Sequence, residues 1–119
     1  MSIFSIEQTH EFSFWLKHLK DDVTRRRLLL RLRKASLGNL GDTAPVGEGV
    51  MEMREHFGPG WRMYYLQRGS RLIVMLGGGN KASQSSDIVK ARQLAARVKE
   101  ENMSTTLHEP VLELTPFDD

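Results

Sequence analysis

Four residues of this 119-residue chain have the types and spacing to work on a phosphodiester: Arg54, His56, Arg62 and Lys81. In "REHFGPGWR" the turn residues Gly58, Pro59 and Gly60 separate two runs rich in β-forming side chains, so the second run folds back and brings Arg62 beside Arg54 and His56. Strand alternation puts Arg62, Tyr64 and Leu66 on one face and Trp61, Met63 and Tyr65 on the other, and groups Glu52, Arg54 and His56 opposite Met51 and Met53. Lys81 arrives after the glycine run Gly77 to Gly79 and completes a cationic hollow. Fixed cations stabilise the charge that develops on a pentacovalent phosphorus. In RNA the adjacent 2′-hydroxyl is a built-in nucleophile, so such a hollow needs no metal. Histidine alone among these residue types can exchange a proton near neutrality, which makes His56 the candidate proton-transfer group.

Each of these residues also has a plainer reading. Arg54 can pair with Glu52 or Glu55, Arg62 can anchor a buried carboxylate, His56 can be an ordinary strand-end residue and Lys81 a solvated turn residue. Tyr64 and Tyr65 offer faces for base stacking, although a core must claim at least one of them. The glycine run lacks the spacing of either nucleotide-binding glycine motif.

The composition, 39% hydrophobic and 27% charged, is that of one ordinary soluble domain. Zero cysteines exclude disulfides, thiol catalysis and thiolate metal sites, and the four histidines (His10, His18, His56, His108) show no ligand spacing, so neither metal nor cofactor is expected. With no apolar run of about 18 residues and with Glu7 and Glu11 where a leader would be apolar, the chain reads as cytoplasmic, without a membrane segment. Its net charge of +2 is split unevenly: residues 1–100 carry all 17 Lys and Arg against 10 acids, a net +7, while residues 101–119 carry five acids and no Lys or Arg. A basic body of this kind suits a polyanionic partner, and the acidic tail is its electrostatic opposite.

The elements that must position the four residues follow from periodicity. Residues 2–7 read as a short strand, and Thr9 opens a helix whose stripe is Phe12, Trp15, Leu16 and Leu19. Lys20 to Asp22 end that helix and cap a second one, with Val23, Leu28, Leu29, Leu32 and Ala35 facing inward up to Gly38. Its other face holds Arg25, Arg26, Arg27, Arg31, Arg33 and Lys34, either a solvated helix back or a contact surface for RNA phosphates. Residues 38–49 read as an ordered loop, and Val50 to His56, Trp61 to Gln67 and Leu72 to Leu76 as an antiparallel meander. Gly77 to Lys81 then bend the chain off the sheet, and Ser83 caps a last helix with Ile88, Ala91, Leu94, Ala95 and Val98 inward. Residues 1–100 form the domain; residues 101–119 read as extended or disordered.

Four blocks, "FSFWLKHLKD", "RLRKASLGNLGD", "GVMEMREHFGPGWRMYYL" and "MLGGGNKASQSSDIVKA", resemble the phage-derived killer-protein branch of the RelE/ParE toxin superfamily, close to HigB, over Ile3 to Lys99. The resemblance implies an α+β fold, with an N-terminal strand and helical hairpin packed on a twisted antiparallel sheet and a C-terminal helix. It implies a type II toxin neutralised by a cognate antitoxin, a HigA-like helix-turn-helix protein, with operator DNA bound only through that complex. Members similar to RelE or HigB cleave messenger RNA in the ribosomal A site, a metal-independent endoribonuclease activity; members similar to ParE poison DNA gyrase without catalysis. By position, the catalytic roles of the nuclease members fall on Arg54, Arg62 and Lys81, and the basic helix face from Arg25 to Lys34 would dock on ribosomal RNA. Glu52 stands where RelE has a lysine, and no tyrosine lies near Ser85 or Ser86, so proton transfer falls to His56 or Asp87. Gln84 and Asp87 can equally cap and dock the last helix. From Met103 the tail is similar to the opening of an antitoxin from such an operon, and its acidic residues could cover the basic hollow.

Overall fold

The computed structural model describes residues 3–100 together with the pair Glu109–Pro110; the rest of the expected acidic tail lies outside the described residues. The chain runs β1 (Ser5–Gln8), α1 (His10–Lys17), α2 (Asp22–Ser36), β2 (Thr43–Gly47), β3 (Val50–Arg54), β4 (Trp61–Arg68), β5 (Leu72–Asn80), a 3-10 turn (Lys81–Ser83), α3 (Gln84–Glu100) and a two-residue β6 (Glu109–Pro110). The fold is α+β, as expected, but the sheet is mixed. β2, β3, β4 and β5 are antiparallel neighbours, while β1 joins the outer edge of β5 in parallel and takes β6 on its own free side.

Helices cover both faces of this sheet. Phe12, Leu16, Leu28, Leu32 and Ala35 of the α1–α2 hairpin pack on Met53, Met63, Tyr65, Ile73 and Met75. Ala91, Leu94, Ala95 and Val98 of α3 pack on Val50, Tyr64, Leu66, Val74 and Leu76. Alternation along β4 therefore sends both tyrosines into cores, Tyr64 at 0% and Tyr65 at 1% exposure. This removes Tyr64 as a base-stacking residue. Val23, expected on the inward stripe of α2, is exposed instead.

Local chemistry accounts for the helix starts. Thr9 Oγ1 accepts from Phe12 N at 3.2 Å and donates to the Met75 carbonyl at 3.0 Å, so the cap of α1 is also a tie to the sheet. Asp21 accepts from Val23 N at 3.1 Å and from the Thr24 hydroxyl at 2.9 Å. Caps of this kind contribute about 1 kcal/mol each.

Three expectations fail for identifiable reasons. The loop 38–49 contains an edge strand, β2, disguised by Pro45 and Gly47; proline is tolerated there because one side of an edge strand has no partner. Ser83 does not cap the last helix: the Asn80 side chain accepts from Ala82 N and Ser83 N and caps the 3-10 turn that runs into α3.

The glycine run, moreover, does not leave the sheet. Gly77, Gly78 and Gly79 pair with Tyr64, Met63 and Arg62. Absence of side chains lets helices approach the strand from either face: a Cβ on Gly78 would lie 2.4 Å from the Trp15 ring, and one on Gly79 would lie 1.9 Å from Asp87 Oδ2. Gly78→Ala and Gly79→Ala should each lower stability by about 1–3 kcal/mol, whereas Gly77→Ala, whose Cβ meets nothing within 4 Å, should not. Urea midpoints at constant m-value measure this, and a Gly78→Ala midpoint equal to wild type would contradict the close approach.

Candidate functional site

The turn between β3 and β4 assembles the basic corner. Gly60 N donates to the Phe57 carbonyl at 3.1 Å and Glu55 N to the Trp61 carbonyl at 2.9 Å, which sets Arg54 and Arg62 directly opposite each other in the β3–β4 register. Lys81 N reaches the Pro59 carbonyl at 3.4 Å, so the 3-10 turn after β5 rests against the same connection. Gly60 has φ of +82°, and the space that its side chain would fill is bounded by Lys81 Cβ at 3.4 Å and Arg62 Nη1 at 3.7 Å. Glycine is favoured there by the positive φ, since a Cβ would make only ordinary contacts. Arg54 and Arg62 thus face each other across the pair, and the Lys81 backbone rests on the same turn.

They sit at different depths. Lys81 is exposed and the Arg54 side chain is 36% exposed, but that of Arg62 is only 8% exposed. Its Nη1 makes long contacts of 3.4 Å to the carbonyls of Glu55 and Trp61, and its Nε lies 3.8 Å from Glu52 Oε2 without a hydrogen bond. Glu52 is 1% exposed and accepts from Gln84 Nε2 at 2.7 Å. Arg62 thus lies beside a buried carboxylate, its plainer reading, and Lys81, exposed on its turn, fits its own plainer reading as well.

His56 lies outside this group. β3 ends at Arg54, and the His56 side chain, 71% exposed, pairs through Nε2 with Asp42 Oδ2 at 2.7 Å, while Arg54 Nη2 holds Asp42 Oδ1 at 2.9 Å. Hydrogen bonds from His56 and then from Arg54 keep the Asp42 carboxyl below its ordinary value of 3.8, and Asp42 in turn raises the pKa of Arg54. The rim of the hollow is therefore partly neutralised by a carboxylate that sequence reasoning did not select.

Asp42 is placed by Arg31. That side chain, expected on the outward face of α2, is buried: it donates to the carbonyls of Arg54, Leu40 and Asp42, each at 2.9 Å, and to Glu55 Oε2 at 2.5 Å. Leu40 to Asp42 wrap around the guanidinium, and a Cβ on Gly41 would come within 2.9 Å of it. Arg31 is a structural node and not a docking residue. Of the remaining helix cations, Arg25 donates to the Leu19 carbonyl and pairs with Asp22, and Arg27 lies 3.7 Å over the Phe57 ring. Arg26, Arg27, Arg33 and Lys34 are exposed, interleaved with the exposed Val23, Leu30 and Leu37. Through Arg27 and Phe57 this mixed basic and apolar face abuts the Gly58–Gly60 turn.

Two further candidates are structural. Asp87 Oδ2 accepts from the Ser83 hydroxyl at 2.5 Å and presses on Gly79, docking α3 on β5. Burial, and then the neighbouring Glu52 carboxylate, push the Tyr64 phenol well above its ordinary range, so it holds its proton. A separate cleft of about 440 Å³ lies between α1 and α3 over Gly77 and Gly78, spanned by Arg97 and Glu11 at 2.9 Å and lined also by Lys90 and Asp87. Among the described residues no group of three or more His, Asp or Glu could hold a metal, and no helix is long and apolar enough to cross a membrane.

No known family's sequence profile matches the chain, and no solved structure matches it. A protein of Haemophilus influenzae, described as uncharacterized, is 34% identical over 90 residues, which cover 76% of this chain and 91% of that protein.

A carbon-detected titration should put the Asp42 midpoint below 3.8, with His56→Ala raising it more than Arg54→Ala. Because the folded value is depressed, the stabilisation from this carboxylate is present above the unfolded value, about 3.9, and is lost as pH falls through the lower folded midpoint. A midpoint unmoved by either substitution would show that the carboxylate is not held by these partners.

Proposed function

The chain belongs to one family with the Haemophilus influenzae protein, and we propose that it is a RelE/ParE-type toxin that cleaves messenger RNA on the ribosome without a metal. The observation that carries this reading is the corner itself: Arg54 and Arg62 in facing register, with Lys81 brought over Gly60 to meet them. Arg54 and Lys81 are accessible enough to grip the non-bridging oxygens of a scissile phosphate. Arg62, nearly dry behind them, supplies positive potential where screening is weakest.

The substrate's 2′-oxygen attacks phosphorus and loses its proton to a base; the 5′-oxygen leaves and gains one. His56 stands outside the three cations and reaches the corner through Asp42, which it shares with Arg54; it is the residue assigned to one of these transfers. One imidazole does not supply both, so cleavage depends on the ribosome to fix the attacking geometry, and free RNA is a poor substrate. The exposed Arg26, Arg27, Arg33 and Lys34 serve as phosphate contacts next to the corner. The natural partner is an antitoxin that covers this surface.

A non-catalytic reading, a gyrase poison, draws on one specific observation: Arg62 is almost fully enclosed and Asp42 already occupies Arg54. Induction in a bacterial host followed by transcriptome-wide mapping of 5′ ends separates the two. Wild type should produce in-frame cuts within translated codons, and Arg54→Ala and Lys81→Ala should lose them by about 10²-fold while changing stability by less than about 0.5 kcal/mol. Growth arrest with intact messages and failing supercoiling would move the assignment to gyrase. Arg62→Ala is the poorer test, since stranding the Glu52 charge should cost about 3 kcal/mol and confound activity with folding.

A further inference from the structure

A carboxylate with 2% of its side chain exposed must be met by donors or by opposite charge; besides the Tyr64 phenol next to it, Glu52 has Gln84 as a donor and Arg62 as an opposite charge. These last two address the same atom. Glu52 Oε2 accepts from Gln84 Nε2 at 2.7 Å and faces Arg62 Nε at 3.8 Å. Gln84 is the first residue of α3 and directly follows the turn that carries Lys81. That turn is stiff: Asn80 Oδ1 accepts from Ala82 N at 2.9 Å and Ser83 N at 3.2 Å, and the Ser83 hydroxyl accepts from Asn80 N at 3.3 Å and donates to Asp87 at 2.5 Å. One oxygen on β3 is thus the common reference for a guanidinium on β4 and for the lysine-bearing turn after β5.

Replacing the whole set, Arg62 included, by apolar side chains of similar volume is often neutral for stability, so stability alone gives no reason for this buried pair, whereas aiming the donors of a guanidinium does. We propose that Glu52 and Gln84 are positioning residues that hold Arg62 and the Lys81 turn in register as a single phosphate-binding corner. The proposal rests on the phosphodiester reading above. Both act through other residues: Glu52 is buried, and Gln84 Nε2 donates to it. Here the carboxylate is internal and steers a cation, and the turn beyond β5 brings the second cation.

The decisive variants are Gln84→Met, which keeps length and packing but removes the donor, and Glu52→Gln, which keeps shape but removes the charge. Two measurements on the full chain are paired. Nitrogen-15 relaxation at Arg62 Nε should give an order parameter like that of rigid backbone, about 0.85, in wild type, falling below about 0.6 in both variants. Single-turnover cleavage of message on programmed ribosomes should fall by about 10²-fold in Gln84→Met with ribosome affinity held within about twofold, the signature of misplacement and not of lost docking. Arg62 equally rigid in wild type and Gln84→Met would overturn the proposal, as would rate and affinity falling together in step with thermal stability. Should Glu52→Gln not fold, Gln84→Met alone decides. If wild type cleaves nothing on the ribosome, the nuclease reading fails by itself, and the relaxation data still decide whether Glu52 and Gln84 position the guanidinium.

Discussion

The rest of the structure depends on the burial of β4 on both faces. A strand with one wet face could let every second residue be polar, but here Met63 and Tyr65 face the helical hairpin while Tyr64 and Leu66 face α3, all with 3% exposure or less. Arg62 stands two residues before Tyr64 and must point the same way, toward α3. A guanidinium sent into a helix–sheet interface needs a counter-charge there, and the residue opposite Tyr64 on β3 is Glu52. The buried pair is therefore a consequence of register, and a one-residue slip would put both charges among the methionines of the other core.

Close approach is the second constraint. Large aromatic rings on the hairpin and a capped helix start on the other side must both reach β5 at the end where Lys81 departs. The strand meets this by giving up side chains: Trp15 lies on Gly78 and Asp87 on Gly79. This keeps the 3-10 turn hard against the sheet, so that the Lys81 backbone meets the Gly58–Gly60 connection while its side chain stays exposed.

Electrostatics divides the basic residues by depth. Arg31 is consumed in holding Leu40 to Asp42 against the end of β3, and its effect is to deliver a carboxylate to Arg54 and His56. The apparent cationic surplus of the domain is thus smaller at the corner than the charge count suggests. Accessible cations remain on Lys81 and on the outer face of α2, where they alternate with exposed Val23, Leu30 and Leu37.

Much was legible from the chain alone, because it is local. Period locates the three helices, and Thr9 and Asp21 cap the first two as their types require, while Ser83, the expected cap of the third, does not cap it. The Gly58–Gly60 turn determines the β3–β4 pairing, and with it the juxtaposition of Arg54 and Arg62. Tertiary packing decided the remainder. Pro45 and Gly47 conceal an edge strand whose existence depends on β3 lying beside it, and triple glycine reads as a breaker until the helices that need the room are in place. Arg31 and its neighbours on α2 are chemically alike, so only the loop that closes over one of them tells a buried node from a surface cation. Likewise, local sequence cannot say that Asp42, Glu52 and Gln84 belong to the site. Their partners are 10 or more residues away along the chain and become neighbours only when the sheet and α3 close on one another.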